Sequence, residues 1–157
     1  MRRDDRMSIT IRGADLNDVP LLGKMNSRLV DDQGTDNTWP LSKYEERFRE
    51  WLQKGPWQVD VILEKGQIAG YAIYQLRADY FYPEQPVIFV RQFYIEREHR
   101  RRGLGRAAFQ DLIDKRFPEG YDAIALDVMA ANTGGQQFWT KLGFATYFVA
   151  MKRDVSP

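Results

Sequence analysis

Apolar positions along the chain alternate between a period of two and a period near 3.6, and the switches between them divide it into successive strands and helices. Ser8 to Arg12 alternates as a short half-buried strand, and Asn17 or Asp18 caps a helix that carries Pro20 in its first turn and runs to about Val30. A turn-rich acidic stretch, Asp31 to Asn37, leads to Ser42-x-x-Glu45, a capping-box pattern for a second helix. Tyr44, Phe48, Trp51 and Leu52 share one face of that helix, and Gly55-Pro56 marks its end. The period then becomes that of strands. Val59–Glu64 and Ile68 to about Arg77 flank Lys65-Gly66 as an antiparallel hairpin, and an aromatic loop, Tyr80-Phe81-Tyr82-Pro83, precedes a long strand from Val87 to Ile95. A helix from about Gly103 to Phe117, a strand from Asp122 to Val128, a helix from Asn132 to Leu142 and a last strand from Phe144 to Met151 complete the order βααβββαβαβ. The expected fold class is α+β: a mixed, mostly antiparallel central sheet with two helices before the hairpin and two after it, covering opposite faces.

The 157 residues, 18.4 kDa, suit one domain able to bury a core without staples. With no Cys and a single His, the chain has no disulfide, no thiolate nucleophile and no zinc set, and only His99 is available for a Ser-His-Asp arrangement. No metal is expected. Mean hydropathy of −0.55 and the absence of a long apolar run exclude a spanning helix, and the first residues are charged without an apolar stretch behind them. The expectations are therefore a cytoplasmic location, no membrane partner and a disordered extension over residues 1–6, with the folded domain covering 7–157. A formal charge of +1 argues against nucleic acid as a partner.

Charge is unevenly distributed. Residues 96–106 hold Arg97, Arg100, Arg101, Arg102 and Arg106 against Glu96 and Glu98, a surplus of +3 at a strand-to-helix junction that also carries Gly103 and Gly105. Glycines there let backbone amides approach a ligand, and the helix adds its positive end, so the junction can hold a phosphate or pyrophosphate. Gly103-x-Gly105-x-x-Ala108 also matches a dinucleotide fingerprint, but seven residues separate it from the strand, and no Gly-Lys-Ser/Thr follows. A solvated basic helix start is the plainest account of the segment by itself.

Two motifs together are more specific. Arg100-x-x-Gly103-x-Gly105, after a strand ending Phe93-Tyr94-Ile95, and Asn132-Thr133-Gly134-Gly135-Gln136-Gln137-Phe138-Trp139-x-x-x-Gly143-Phe144 resemble the two motifs of the GNAT superfamily of acyl-CoA-dependent N-acyltransferases, and the element order over residues 7–151 agrees. The resemblance implies a single acyl-CoA N-acyltransferase domain with acetyl-CoA as cofactor. It implies that the loop and helix start from Arg100 through Arg101, Arg102, Gly103, Leu104 and Gly105 to Arg106 hold the pyrophosphate of coenzyme A. Phe93, Tyr94 and Ile95 would pair with its pantetheine arm, while Asn132 and Trp139 would stand near the thioester. The reaction implied is transfer of the acetyl group to a primary amine, of a small molecule or a protein, by direct attack. A homodimer is compatible with the chain.

Departures from the family pattern bear on catalysis. Trp139 stands where the family often has a Tyr that protonates the leaving thiolate, and an indole does not give up its proton near pH 7. Arg91 and Gln92 occupy the strand region that often supplies a Glu base, and neither can act as one. The catalytic residues are thus unassigned, with Arg91, Gln92, Tyr94 and Trp139 as candidates. Tyr147 is a further substitute acid, and His99 is better read as part of the phosphate loop. A catalytically silent acyl-CoA sensor or interaction domain is the alternative. The family usually walls its acceptor pocket with the first two helices, their connecting loop and the loop after the hairpin. That places Asn26, Leu29, Asp31, Asp32, Asn37 and Trp39 against Tyr80 and Tyr82, with Arg91 able to hold a carboxylate. An amino-acid-like acceptor follows from Arg91.

Overall fold

The computed structural model describes residues 8–100 and 102–156. The expected order of elements is present up to the second motif. β1 (Ile9–Gly13) leads through a single 3-10 turn into α1 (Val19–Asp32), and α2 (Leu41–Gln53), β2 (Gln58–Glu64), β3 (Gln67–Ala78) and β4 (Pro86–Ile95) follow. After a second 3-10 turn come α3 (Leu104–Asp111), which widens into a π turn over Leu112–Arg116, then β5 (Ala123–Leu126) and α4 (Thr133–Lys141). The sheet order is β1-β2-β3-β4-β5, antiparallel except for the parallel β4–β5 pair.

Alternation along the central strands creates two cores. Val59, Val61, Tyr71 and Ile73 face α1 and α2, where they meet Leu22, Met25, Phe48 and Trp51. Their neighbours Ala72, Tyr74, Ile88 and Val90 face the other way, onto Phe109 and Leu112. The helices do cover opposite faces. Lys65 and Gly66 close the β2–β3 hairpin with φ of 51° and 80°, the left-handed pair that a two-residue turn requires. Gly70 is fixed by space instead, since a Cβ there would lie 2.0 Å from the Tyr94 carbonyl oxygen.

Several local expectations are corrected. Asp18 does hold the N-cap position of α1, with Pro20 in the first turn, but the side-chain cap forms one turn earlier: Asp15 accepts from the Asn17 amide, while Asp18 accepts from the Asp15 amide and takes a two-point contact from Arg12 at 2.9 and 3.0 Å. The Ser42–Glu45 capping box does not form, because α2 already begins at Leu41 behind Pro40. That helix ends at Gln53, as its pattern indicates, yet Gly55 is not left-handed. The largest difference lies at the end of the chain, where Phe144–Met151 forms no strand among the described residues. Strand propensity needs a partner edge to act on. The only backbone bond of this segment among those described runs from the Phe144 amide to Trp139.

Candidate active site

β4 and β5 pair from Val87↔Ala123 to Val90↔Leu126 and then part. One residue further, β4 bulges: Ile73 pairs with Gln92 and Tyr74 with Val90, so Arg91 has no partner on β3. A bulge re-aims side chains, and this one puts Arg91 and Gln92 on the α1–α2 side of the sheet. The opening between the strands is a small cleft of about 60 Å³ whose lining includes Leu29, Arg91, Gln92, Phe93, Asn132 and Trp139. Six residues expected from sequence thus come together at one place. Asp127, just beyond β5, lines it as well and was not anticipated; its position at the carboxyl end of a parallel strand is the signal that could have found it. A larger cavity, about 330 Å³ over Gln58, Tyr74 and Arg116, contains none of the expected residues.

Arg91, one of the residues lining the cleft, also belongs to an aromatic and cationic group. The Arg91 guanidinium lies 5.2 Å from the Trp51 ring and 5.3 Å from Trp57. Arg47, from α2, lies 4.7 Å from Trp51 and 5.0 Å from Trp39, and it donates to Asn26 Oδ1 at 2.6 Å. Burial, and then the charge of Arg91, pull the pKa of Arg47 below the usual arginine value. Among the described residues neither cation has a carboxylate within ion-pair distance. Arg47 Nε and Asn26 Nδ2 are buried without a hydrogen-bond partner. Sequence reasoning missed Arg47, because only the packing of α2 on α1 brings it to Asn26.

The arginine-rich junction is differently arranged from its sequence. Asp32, at the end of α1, accepts from Arg97 at 2.6 Å and from Arg100 at 2.7 Å, and Arg100 Nε also donates to the Ile95 carbonyl at 2.6 Å. Glu64 Oε1 is shared by Arg102 at 2.8 Å and His99 Nδ1 at 2.6 Å. Glu96 pairs with Arg28 and accepts from Tyr94 at 2.9 Å. Much of the local surplus of charge is therefore matched by acids distant in sequence. Asp32 clamps this loop to the end of α1. Burial pushes its pKa up, but the hydrogen bonds from Arg100 and Arg97 prevail and hold it below the usual carboxylate value. Arg101 falls outside the described residues, as do residues 1–6.

α3 opens at Gly103, whose φ of +79° is left-handed and whose missing Cβ would meet nothing within 4 Å. No side chain caps this helix, so its first amides are turned outward without an internal acceptor. Gly105 has a different use: a Cβ there would sit 3.1 Å from the Phe138 ring, so this glycine lets α3 approach α4. Leu104 is buried, and Arg106 reaches toward the Lys141 carbonyl at 3.5 Å.

The remaining expected residues divide between the cleft and the packing around it. Tyr94 is buried on the α1–α2 face, where burial and then its bond to Glu96 raise its pKa. Asn132 caps α4 by accepting from the Gly135 amide at 2.9 Å. Trp139 packs against the rings of Phe93, Phe109, Phe138 and Phe144. Trp39 leans on Tyr44 at the Arg47 group, whereas Asn37 and Asp31 are joined by a 3.0 Å hydrogen bond that fixes the loop after α1. Tyr80 stacks on Phe81, which packs on Tyr147 and Phe148 rather than on this group, and exposed Tyr82 bonds through its amide to Asp79. The Tyr147 hydroxyl donates to Asp79 at 3.2 Å.

Comparison with known proteins agrees with this architecture. Aminoglycoside N-acetyltransferase AAC(6')-Iy, solved in complex with CoA, superposes with a TM-score of 0.71 at 22% identity over 96% of this chain and 97% of that one. The BH1408 protein of Bacillus halodurans, solved as a mutant, gives 0.73 at 21% identity over 94% and 99%. A ribosomal-protein-alanine N-acetyltransferase of Brucella melitensis gives 0.68 at 14% identity over 94% and 99%. At these identities the likeness concerns the fold. A search of curated proteins finds no match. The model of the acetyltransferase (GNAT) family matches residues 26–144, from the middle of α1 to the end of the second motif. With most of its length under that match, the chain belongs to the GNAT family of acetyltransferases.

Proposed function

We propose that the protein is an N-acetyltransferase that moves the acetyl group of acetyl-CoA onto the primary amine of a small acceptor bearing a carboxylate. The observation that carries this reading is the pair Arg47 and Arg91, two guanidinium groups near the Trp51 ring without a carboxylate partner among the described residues, of which Arg91 lines the cleft. Two cations held together over one indole repel each other and gain from an anion placed between them.

The residues present fit coenzyme A on two counts. The uncapped start of α3 behind Gly103 offers outward amides for a pyrophosphate, and the side of β4 facing β5 is free of strand pairing beyond Val90, where Phe93 and Ile95 can pair with an extended arm. When bound, the cofactor supplies an activated acyl thioester. The chain's part is then to hold the acceptor by Arg91 and Arg47, exclude water with Leu29, Phe93 and Trp139, and take up a proton. Attack requires a neutral amine, and Asp127 is the carboxylate lining the cleft that can receive the proton from the ammonium. In the transfer the C–N bond would replace the thioester C–S bond, and Asp127 or solvent would pass the second proton that the nitrogen loses to the leaving sulfur, the first being released to solvent.

A cofactor sensor without turnover is the second reading, favoured by the confinement of Trp139 among four rings. Thiol release with acetyl-CoA and paired acceptors, amino acids against their carboxamides, decides between them. Arg91→Ala is expected to raise KM for the carboxylate acceptor by about 10- to 100-fold, the loss of about 1.5–3 kcal/mol from a charged hydrogen bond, and to leave the carboxamide little changed. An unchanged KM overturns the anionic acceptor. Thermal stabilisation by acetyl-CoA with no thiol release from any amine replaces the enzyme by the sensor.

A further inference from the structure

Arg91 stands inside a longer series of cations and aromatic rings. On α2, Lys43, Arg47 and Trp51 recur four residues apart and so share one face of the helix. Trp39, just before that helix, has Lys43 Nζ over its ring at 4.6 Å and the Arg47 guanidinium at 5.0 Å. Arg47 and Arg91 both lie over Trp51, Arg91 reaches on to Trp57, and Trp57 meets Phe89 of β4 with ring centroids 6.3 Å apart. Arg77, on β3, ends the series 3.9 Å from the Phe89 ring. Among the described residues none of these four cations is in an ion pair, and Arg47 Nε is buried without any partner. Rings in contact with them hold the charged groups in place, so an anion that meets them finds donors already ordered. One carboxylate between Arg47 and Arg91 leaves Lys43 and Arg77 unanswered.

We propose that the acceptor is an extended acidic peptide segment whose lysine enters the cleft beside Arg91 while acidic residues on either side of it lie along Lys43, Arg47 and Arg77. The proposal rests on the transfer to a carboxylate-bearing acceptor inferred above and extends it from one carboxylate to several. Spacing favours a peptide: Lys43 and Arg47 stand one helical turn apart, about 6 Å along the axis, and alternate side chains of an extended chain recur at about 6.6 Å. Ring coverage disfavours a nucleic acid strand, whose bases stack on open aromatic faces, because cations lie over Trp39, Trp51, Trp57 and Phe89. Arg91, the member that lines the cleft, is internal to the series, with Lys43 and Arg47 on one side and Arg77 on the other. A bound chain therefore continues past the cleft in both directions, and the amine it presents there belongs to a side chain. Transfer to that amine forms the amide C–N bond and breaks the thioester C–S bond; of the two protons its ammonium loses, one ends on the thiol and one in solvent.

Thiol release from acetyl-CoA is measured with two end-capped peptides that carry one amine each, Glu-Glu-Lys-Glu-Glu and Gln-Gln-Lys-Gln-Gln, beside free amino acids. The acidic peptide is expected to have a kcat/KM about 10-fold above the neutral one at low salt, the sum of several exposed ion pairs, and to lose most of that advantage at about 0.5 M salt. Arg77→Ala is expected to cut the preference by about 2- to 5-fold, the worth of one such pair. Lys24→Ala, which removes an exposed charge of α1 outside the series, is expected to leave it intact. Equal kcat/KM for the two peptides overturns the proposal, as does a preference that survives Arg77→Ala combined with Lys43→Ala. Turnover of free amino acids with neither peptide used overturns it and leaves the carboxylate-bearing acceptor standing, whereas no thiol release from any amine overturns both. Inhibition by an oligothymidylate at concentrations below the KM of the acidic peptide assigns the series to nucleic acid and overturns it as well.

Discussion

Asp60 offers the most direct test of how the two faces of the sheet are tied together. Its carboxylate is fully buried on β2 and accepts four hydrogen bonds: from Arg116 Nε at 3.0 Å and Nη2 at 2.8 Å, from the Tyr74 hydroxyl at 2.5 Å, and from Gln58 Nε2 at 2.9 Å. Arg116 ends the π turn that continues α3, so this network joins β2 to the helix whose other end opens the candidate cofactor site. Asp60→Ala leaves the guanidinium and a buried phenol without their acceptor. Removing one member of a buried pair costs about 3–5 kcal/mol, and the partial exposure of Arg116, 30%, argues for the lower end, about 3. For a chain of this size that is a fall of about 6–12 °C in Tm. The double variant Asp60→Ala, Arg116→Met removes both charges together and is expected to lose less than Asp60→Ala and Arg116→Met combined, with a coupling above about 1 kcal/mol. Urea unfolding of the four proteins measures it. A single-variant loss below about 1 kcal/mol, or strict additivity, would refute the assignment of Asp60 and Arg116 as a coupled buried pair.

Asp32 and Gly70 give two further tests. Asp32 is held below its usual pKa by Arg100 and Arg97 despite its burial, so its contribution is present above the unfolded value, about pH 4, and is lost as pH falls through the lower folded value. Asp32→Asn is therefore expected to flatten the loss of Tm between about pH 5 and pH 3, and scanning calorimetry that finds the two slopes equal removes the clamp. Gly70→Ala would place a methyl 2.0 Å from the Tyr94 carbonyl, and forcing β3 from β4 is expected to cost about 3 kcal/mol or more, read as a Tm lower by about 6 °C or as insoluble protein; a Tm within about 1 °C of wild type contradicts this packing.

The difference between what was legible and what was not follows the range of the interactions. Strand and helix periods, the Lys65-Gly66 turn, the end of α2 and the left-handed start of α3 are local, and residues within a few positions set them. Asp18 was legible as the start of α1, whereas the capped turn at Asp15 in front of it was not, because it depends on Asp18 being held by Arg12 from β1. Gly105 was legible as a glycine position, but the contact that requires a glycine there was not, since it is with Phe138, more than thirty residues away. The last strand shows the same limit from the other side: Phe144–Met151 has strand propensity and β5 has a free edge, yet Tyr147 and Phe148 pack on Phe81 and no ladder forms, a choice made by tertiary contacts.

The sequence by itself determined the alternation that makes the two-faced sheet, the order of its helices and the two motifs that place the chain in its family. Tertiary structure alone decided the bulge at Arg91, the meeting of Arg47 with Asn26, and the pairing of Arg97, Arg100 and Arg102 with Asp32 and Glu64. The reason is physical. Periodicity and turn chemistry are written in residues that touch along the chain, whereas the charge and shape of a cleft depend on which distant residues the packed sheet and helices bring within a few ångströms.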